Sequence, residues 1–159
     1  KLVWHLIGHL QVNKVRQAVP MFDLIHSVDS KKLLDEIEKV AAKHDKVQDI
    51  LLQVNVAREA SKSGMSVEEF PEVRDYAKTL LHVRVRGLMC MAPFFENPEE
   101  ARPIFRVAYV LYEDMKGYFP EGDIQYLSMG MTHDFEIALQ EGANIVRVGT
   151  AIFGERVYN

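Results

Sequence analysis

Six short runs rich in Val, Ile and Leu, each parted from the next by a longer stretch with helical spacing, constrain this chain most. The runs cover residues 2–7, 24–28, 50–56, 83–89, 124–129 and 144–148. They do not alternate cleanly between apolar and polar residues, which is the pattern of a parallel sheet covered on both faces. Between them three of the helical stretches carry readable caps. Ser30 heads a stretch in which Leu33, Leu34, Ile37, Val40 and Ala41 fall on one stripe. Ser66-Val-Glu-Glu69 is a capping box, followed at helical spacing by Phe70, Val73, Ala77, Leu80 and Leu81. Asn97, Pro98, Glu99 and Glu100 read as cap, first-turn proline and acidic first turn ahead of Phe105, Ala108, Leu111, Tyr112 and Met115. Pro103 predicts a delayed or kinked start, and Gly117 and Gly142 stand where helices should stop.

The order is βα repeated, with no second composition zone, no low-complexity tract and no short-period repeat. Two α/β architectures accommodate six such units. One is a doubly wound open sheet; the other is the last six βα units of a (β/α)8 TIM barrel, which normally needs about 250 residues. The 159-residue chain begins at Lys1, without a methionine, and is almost at once in a strand-like run. That start favours a single truncated barrel domain over residues 1–159, cut from a longer protein.

Composition excludes several classes. A formal charge of −4, with Lys and Arg scattered among Asp and Glu, argues against a general nucleic-acid or anionic-membrane binder. The single cysteine, Cys90, excludes an internal disulfide framework and fits a reducing compartment. No apolar run approaches the length of a membrane span. A soluble, cytoplasmic protein is the expectation.

In both architectures ligands sit at the C-terminal ends of the strands. There lie Gly8 and His9, residues 27–29, Asn55, residues 89–91, residues 128–132 and residues 147–150. Two of these segments, Ser128-Met129-Gly130-Met131-Thr132 and Val146-Arg147-Val148-Gly149-Thr150, run from a strand into a glycine and a hydroxyl where a helix should begin. A helix start offers unpaired N–H groups and a positive dipole end, so it suits phosphate. The competing reading is a pair of ordinary tight turns. Arg147 interrupts an apolar run, where a guanidinium is costly without a partner. It either projects to a ligand at Gly149 and Thr150 or pairs with a carboxylate from another strand. His5 and His9 share a strand face, but nothing completes a metal site, so they read as hydrogen-bonded core or rim residues. His26 and His133 lack partners at recognisable spacing. Cys90 reads as a small buried hydrophobe, and Lys62 as a loop lysine within reach of an anion. No Walker or GxGxxG pattern supports a nucleotide.

Taken together, the segments Trp4-His-Leu-Ile-Gly-His-Leu-Gln-Val-Asn-Lys-Val-Arg16, Ile25-His-Ser-Val-Asp29, Leu52-Gln-Val-Asn55, Arg86-Gly-Leu-Met89, Leu127-Ser-Met-Gly-Met131 and Val146-Arg-Val-Gly-Thr-Ala-Ile-Phe-Gly154 resemble the pyridoxal phosphate homeostasis proteins, also called the proline synthetase co-transcribed homologues. The resemblance runs in order from Trp4 to Tyr158. It implies a single-domain βα barrel related to the N-terminal barrel of alanine racemase. Its cofactor would be pyridoxal 5′-phosphate, bound without established turnover and buffered or delivered to client enzymes that depend on it, by a monomer or weak dimer. It implies that Ser128, Met129, Gly130, Met131, Thr132, Gly149 and Thr150 hold the phosphate and that Arg147 approaches the pyridine nitrogen. It also implies that the Schiff-base lysine lies upstream of Lys1, so no catalytic residue is assigned within the chain. Two alternatives stand beside it. One is a racemase-like enzyme using the same cofactor, which would need a second base such as a tyrosine. The other is a barrel enzyme acting on a phosphorylated metabolite, with Asp29 and His9 as its acid–base pair.

Overall fold

The computed structural model describes residues 1–60 and 63–158. In chain order the elements are β1 (His5–Leu6), α1 (Val15–Met21), β2 (Leu24–Val28), α2 (Lys31–Lys43), β3 (Gln48–Val54), α3 (Phe70–Ala77), β4 (Val83–Cys90), α4 (Arg102–Met115), β5 (Tyr126–Met131), α5 (Phe135–Gln140), β6 (Ile145–Arg147) and α6 (Thr150–Phe153). All six strands are parallel and pair in the order in which the chain makes them. A doubly wound sheet reverses its strand order at a switch point. This one does not, and its winding is that of a βα barrel wall.

Two apolar layers follow from that winding. The larger lies between the helices and one face of the sheet, and includes Ile25, Ile50, Leu52, Leu88, Leu127 and Met129. The smaller lies on the opposite, concave face: Leu24, Leu51 and Met89, with Met91, Tyr126 and Ile145 packed against them. Burial on both faces explains the near-continuous apolar runs.

The local signals act as their chemistry dictates. Ser30 accepts from the Leu33 N–H, and the α2 stripe of Leu33, Leu34, Ile37, Val40 and Ala41 is buried. Ser66 and Glu69 bond each other's backbone N–H reciprocally, one turn ahead of α3. Asn97 caps a short 3-10 turn, Pro98–Ala101, so that α4 starts only at Arg102, beside Pro103.

Several expectations need correction. The run 2–7 forms a strand only at His5–Leu6, because it pairs with β2 alone and at just two positions; Leu2, Val3, Trp4 and Ile7 are exposed. Leu81 lies past the end of α3 and is exposed, off the stripe. The strand expected from residue 50 begins at Gln48, whose buried side-chain Nε2 donates to the Phe22, Asp23 and Asp49 carbonyls. Asn144 stands outside β6; its side chain accepts from Leu127 N–H and donates to the Gln125 carbonyl, extending the ladder without joining it. The helix α1 carried no readable cap, and none forms in the structure.

Register shifts mark an extra residue in β2 between Ile25 and Val28, in β4 at Arg86, and in β5 between Ser128 and Met131. Such bulges re-aim neighbouring side chains. Those on β2 and β5 flank His26 and Ser128.

Candidate functional site

On the concave face a polar layer adjoins the apolar one. Period two puts Leu24 with His26, Tyr126 with Ser128, and Ile145 with Arg147 on a shared face. His26 and Ser128 are fully buried and Arg147 is 8% exposed. One hydrogen-bond chain joins them. Arg147 Nη1 donates to Ser128 Oγ at 2.6 Å, and Nη2 donates to the Cys90 carbonyl at 3.0 Å. Ser128 Oγ also bonds His26 Nδ1 at 2.9 Å, and His26 Nε2 bonds His5 Nδ1 at 3.0 Å. The chain thus runs from exposed His5 on β1, through β2 and β5, to Arg147 on β6.

The electrostatics are those of a cation in a dry place. Burial lowers the pKa of Arg147 to about 10, against the pull of Cys90 and Asp134, so the guanidinium stays charged near neutrality. Burial, then the charges of His5 and Arg147, pushes His26 down to about 3 and keeps its ring neutral. Burial raises the Cys90 thiol to about 12. Among the described residues no carboxylate forms a salt bridge with Arg147. The structural ion pair weighed for this residue is therefore absent, and its fixed partners are neutral.

The two strand-to-helix segments meet at their ends. The Ala151 N–H, at the start of α6, donates to Thr132 Oγ1 at 3.4 Å. The strand expected to end at Met129 runs on through a bulge to Met131, so the turn expected over residues 129–132 begins only at Thr132. Gly130 sits in that bulge with φ +98°, and a Cβ there would meet the Ala138 methyl at 2.7 Å and Phe135 Cα at 3.0 Å. Glycine is what lets β5 press onto α5. Met129 points into the helix-side core, and the Met131 N–H already donates to Asp134 Oδ1 at 2.8 Å. Neither side chain belongs to the polar layer. At Gly149 a Cβ would enter open space, so the backbone there borders room that a side chain would fill.

Other candidates separate. His9 bonds Ser63 and Asp29 accepts from the Gly64 N–H, so both hold one loop and no bond joins them among the described residues. His133, expected without a partner, bonds the Phe95 carbonyl at 2.6 Å and stacks on Phe94. His26, also expected without one, has two. Lys62 lies outside the described residues. Tyr76 bonds Asp35, on the helix layer away from the concave face.

A buried guanidinium with no salt bridge among the described residues, beside an open glycine and two joined turns, suits an anionic ligand with a polar ring. The residues present therefore fit a phosphorylated pyridine cofactor.

These features define a βα barrel wall of the alanine racemase N-terminal domain type, and that family matches residues 2–157. The chain is 48% identical over 157 residues to the pyridoxal phosphate homeostasis protein of Aquifex aeolicus, covering 99% of this chain and 68% of that relative. It is 35% identical to the protein of the same name from Escherichia coli K12, covering 99% and 67%. The chain belongs to the pyridoxal phosphate homeostasis protein family. Among solved structures, PipY of Synechococcus elongatus PCC7942 without PLP superposes with a TM-score of 0.88 at 36% identity, over 96% of this chain and 71% of that one. A second structure of PipY, with PLP bound, gives 0.81 over the same shares. The fold extends further, to a diaminopimelate decarboxylase from M. jannaschii, at a TM-score of 0.72 and 15% identity over 93% and 43%.

Proposed function

We propose that this protein binds pyridoxal 5′-phosphate at the β5 and β6 strand ends and takes part in holding and supplying that cofactor. The observation that carries the reading is Arg147, charged, buried and salt-bridged to no carboxylate among the described residues, at the edge of the two joined turns. The relatives named for pyridoxal phosphate homeostasis and the PLP-bound PipY structure support it. The phosphate would lie against Thr132, Gly149 and Thr150, beside the bulge that Met129, Gly130 and Met131 shape, while Ser128, whose hydroxyl is committed to Arg147 and His26, would hold Arg147 rather than the phosphate. Arg147 would face the ring nitrogen.

When bound, the cofactor supplies an aldehyde and an electron-withdrawing ring. The chain's own residues restrain that chemistry. A guanidinium only donates, so Arg147 holds a ring nitrogen unprotonated and weakens its pull on electrons. His26 is neutral and committed to Ser128 and His5, and is not a free base. This supports a binding protein over a racemase-like enzyme. We further propose that the chain supplies the last six βα units of a (β/α)8 barrel, with the cofactor lysine in the preceding part. Coverage of 68% of the Aquifex relative supports this. The same reading includes client enzymes as recipients, a monomer or weak dimer, and a cytoplasmic location.

Equilibrium dialysis tests it. Pyridoxine 5′-phosphate, which has the phosphate but no aldehyde, is expected to be retained, and pyridoxal, which lacks the phosphate, is not. Equal retention of the two, or no effect of Arg147→Met on the phosphorylated ligand, overturns the assignment.

A further inference from the structure

We propose that His26 is a positioning residue: its Nδ1 accepts a hydrogen bond from the Ser128 hydroxyl and thereby aims the Arg147 guanidinium at the cofactor ring. The inference rests on the function proposed above and adds a residue that makes no contact with the ligand.

The argument is one of donors and acceptors. Ser128 Oγ has two partners among the described residues, Arg147 Nη1 at 2.6 Å and His26 Nδ1 at 2.9 Å. Arginine has no acceptor, so that bond uses a lone pair of Ser128. The hydroxyl hydrogen is then left with a single acceptor in reach, His26 Nδ1. A neutral imidazole whose Nδ1 accepts must carry its hydrogen on Nε2, and this hydrogen points at His5 Nδ1, 3.0 Å away. All of these hydrogen bonds are satisfied only in that direction. Reversing it, with His26 Nδ1–H donating, leaves the Ser128 hydrogen without an acceptor in a fully buried place.

The consequence falls on Arg147. Two of its five donors are fixed, one by Ser128 and one by the Cys90 carbonyl. Two anchors on different strands define the plane of the guanidinium, and its other N–H groups keep one direction. Without His26 the hydroxyl rotates freely and the Ser128 anchor becomes one of several alternatives. The low pKa of His26 agrees with this role, since a protonated ring would present an N–H to Ser128 and a second positive charge to Arg147. The bulges in β2 and β5 bring His26 and Ser128 into contact across a separation of 102 positions.

Two measurements decide it. Long-range proton–nitrogen NMR on the histidine rings, at about pH 8, is expected to show His26 as the Nε2–H tautomer. Ser128→Ala should release it to a mixture. An Nδ1–H tautomer in the unsubstituted protein overturns the inference whatever the protein binds. The second measurement compares pyridoxal 5′-phosphate with its deaza analogue, in which carbon replaces the ring nitrogen. A preference for the cofactor of roughly tenfold or more is expected from one hydrogen bond to a charged donor. His26→Leu should bring the ratio toward one. His26→Asn, whose amide oxygen can occupy the Nδ1 position, should restore it. If His26→Leu weakens both ligands equally and keeps the ratio, His26 only supports the fold and the positioning role fails. If the unsubstituted protein shows no preference, the placement of Arg147 at the ring fails instead, and the tautomer alone decides whether His26 holds Ser128.

Discussion

Replacing Gly87 by alanine should separate β4 from β5 and with them the two sides of the site. Gly87 follows the bulge at Arg86, has φ +152°, and pairs with Tyr126 across the β4–β5 ladder. A Cβ built there stands 1.8 Å from the Tyr126 carbonyl oxygen, 2.7 Å from its carbon and 3.1 Å from its nitrogen. Ordinary contact needs well over 3 Å, and the obstacle is paired backbone, which cannot swing away like a side chain. Overpacking costs about 1–3 kcal/mol where neighbours can yield. The positive φ, in a region sparsely populated by residues with a Cβ, adds about 1–3 kcal/mol. With a rigid neighbour the sum reaches at least the middle of those ranges, about 4 kcal/mol, a large share of the roughly 5–15 kcal/mol that holds a domain together. For a chain of this length that corresponds to a melting point lower by roughly 8–16 °C. Thermal unfolding followed by circular dichroism measures it, with Gly8→Ala as the control, because a Cβ at Gly8 meets nothing within 4 Å. The control should stay within about 0.5 kcal/mol of the parent. A Gly87→Ala protein melting within about 2 °C of the parent would refute the close approach on which this reasoning depends.

Gly149→Ala should act in the opposite way: with φ −117° and open space at its Cβ, it should leave stability within about 0.5 kcal/mol yet lower retention of pyridoxine 5′-phosphate at least tenfold, read by melting and dialysis together. Stability should fall with pH through His26. Its folded pKa is about 3 and its ordinary value 6.5, so the unfolded chain takes up the proton first; stability is full above 6.5 and is lost between there and 3. At about 1.4 kcal/mol per unit this amounts to about 2 kcal/mol by about pH 5; urea midpoints measure it, and an equal slope in His26→Asn would contradict it. Cys90, fully buried with its thiol pushed up to about 12, should resist iodoacetamide in the native protein and react once urea unfolds it, as mass spectrometry would record.

The sheet was legible because its strands are buried on both faces and say so in Val, Ile and Leu. The strand order was not legible in the periodicity, since six βα units carry no mark of whether the winding reverses; the family resemblance pointed to the barrel winding that the sheet shows. Caps at Ser30, Ser66 and Asn97 could be read because each acts within three residues of itself. The bounds of helix α1 had no such marker, because no side chain caps it and its seven residues hold Pro20. Arg147 could be singled out because a charge in an apolar run is expensive wherever it lies. His26 could not, for its two partners sit 21 and 102 positions away and are brought to it by bulges that no spacing rule displays. The strand-end glycines were visible, but the reason for Gly130, contact with Ala138 and Phe135, is tertiary.

The concave face shows why such a site sits where it does. Its lower layer, Leu24, Leu51 and Met89, is what an interior stabilised by burial alone would continue upward. The next layer instead holds a neutral histidine, a serine and an arginine whose pKa falls rather than rises. That direction matters. A guanidinium stabilised by its surroundings would be harder to deprotonate than in water, and this one is easier. The fold therefore keeps Arg147 at a cost, and two neutral acceptors offset only part of it. An aliphatic residue in its place would carry no such penalty. On the proposed function, a charge retained against the preference of its own scaffold would be held ready for a charge or dipole that arrives from outside, and the hydrogen-bond chain to His5 would fix its direction before that ligand is there.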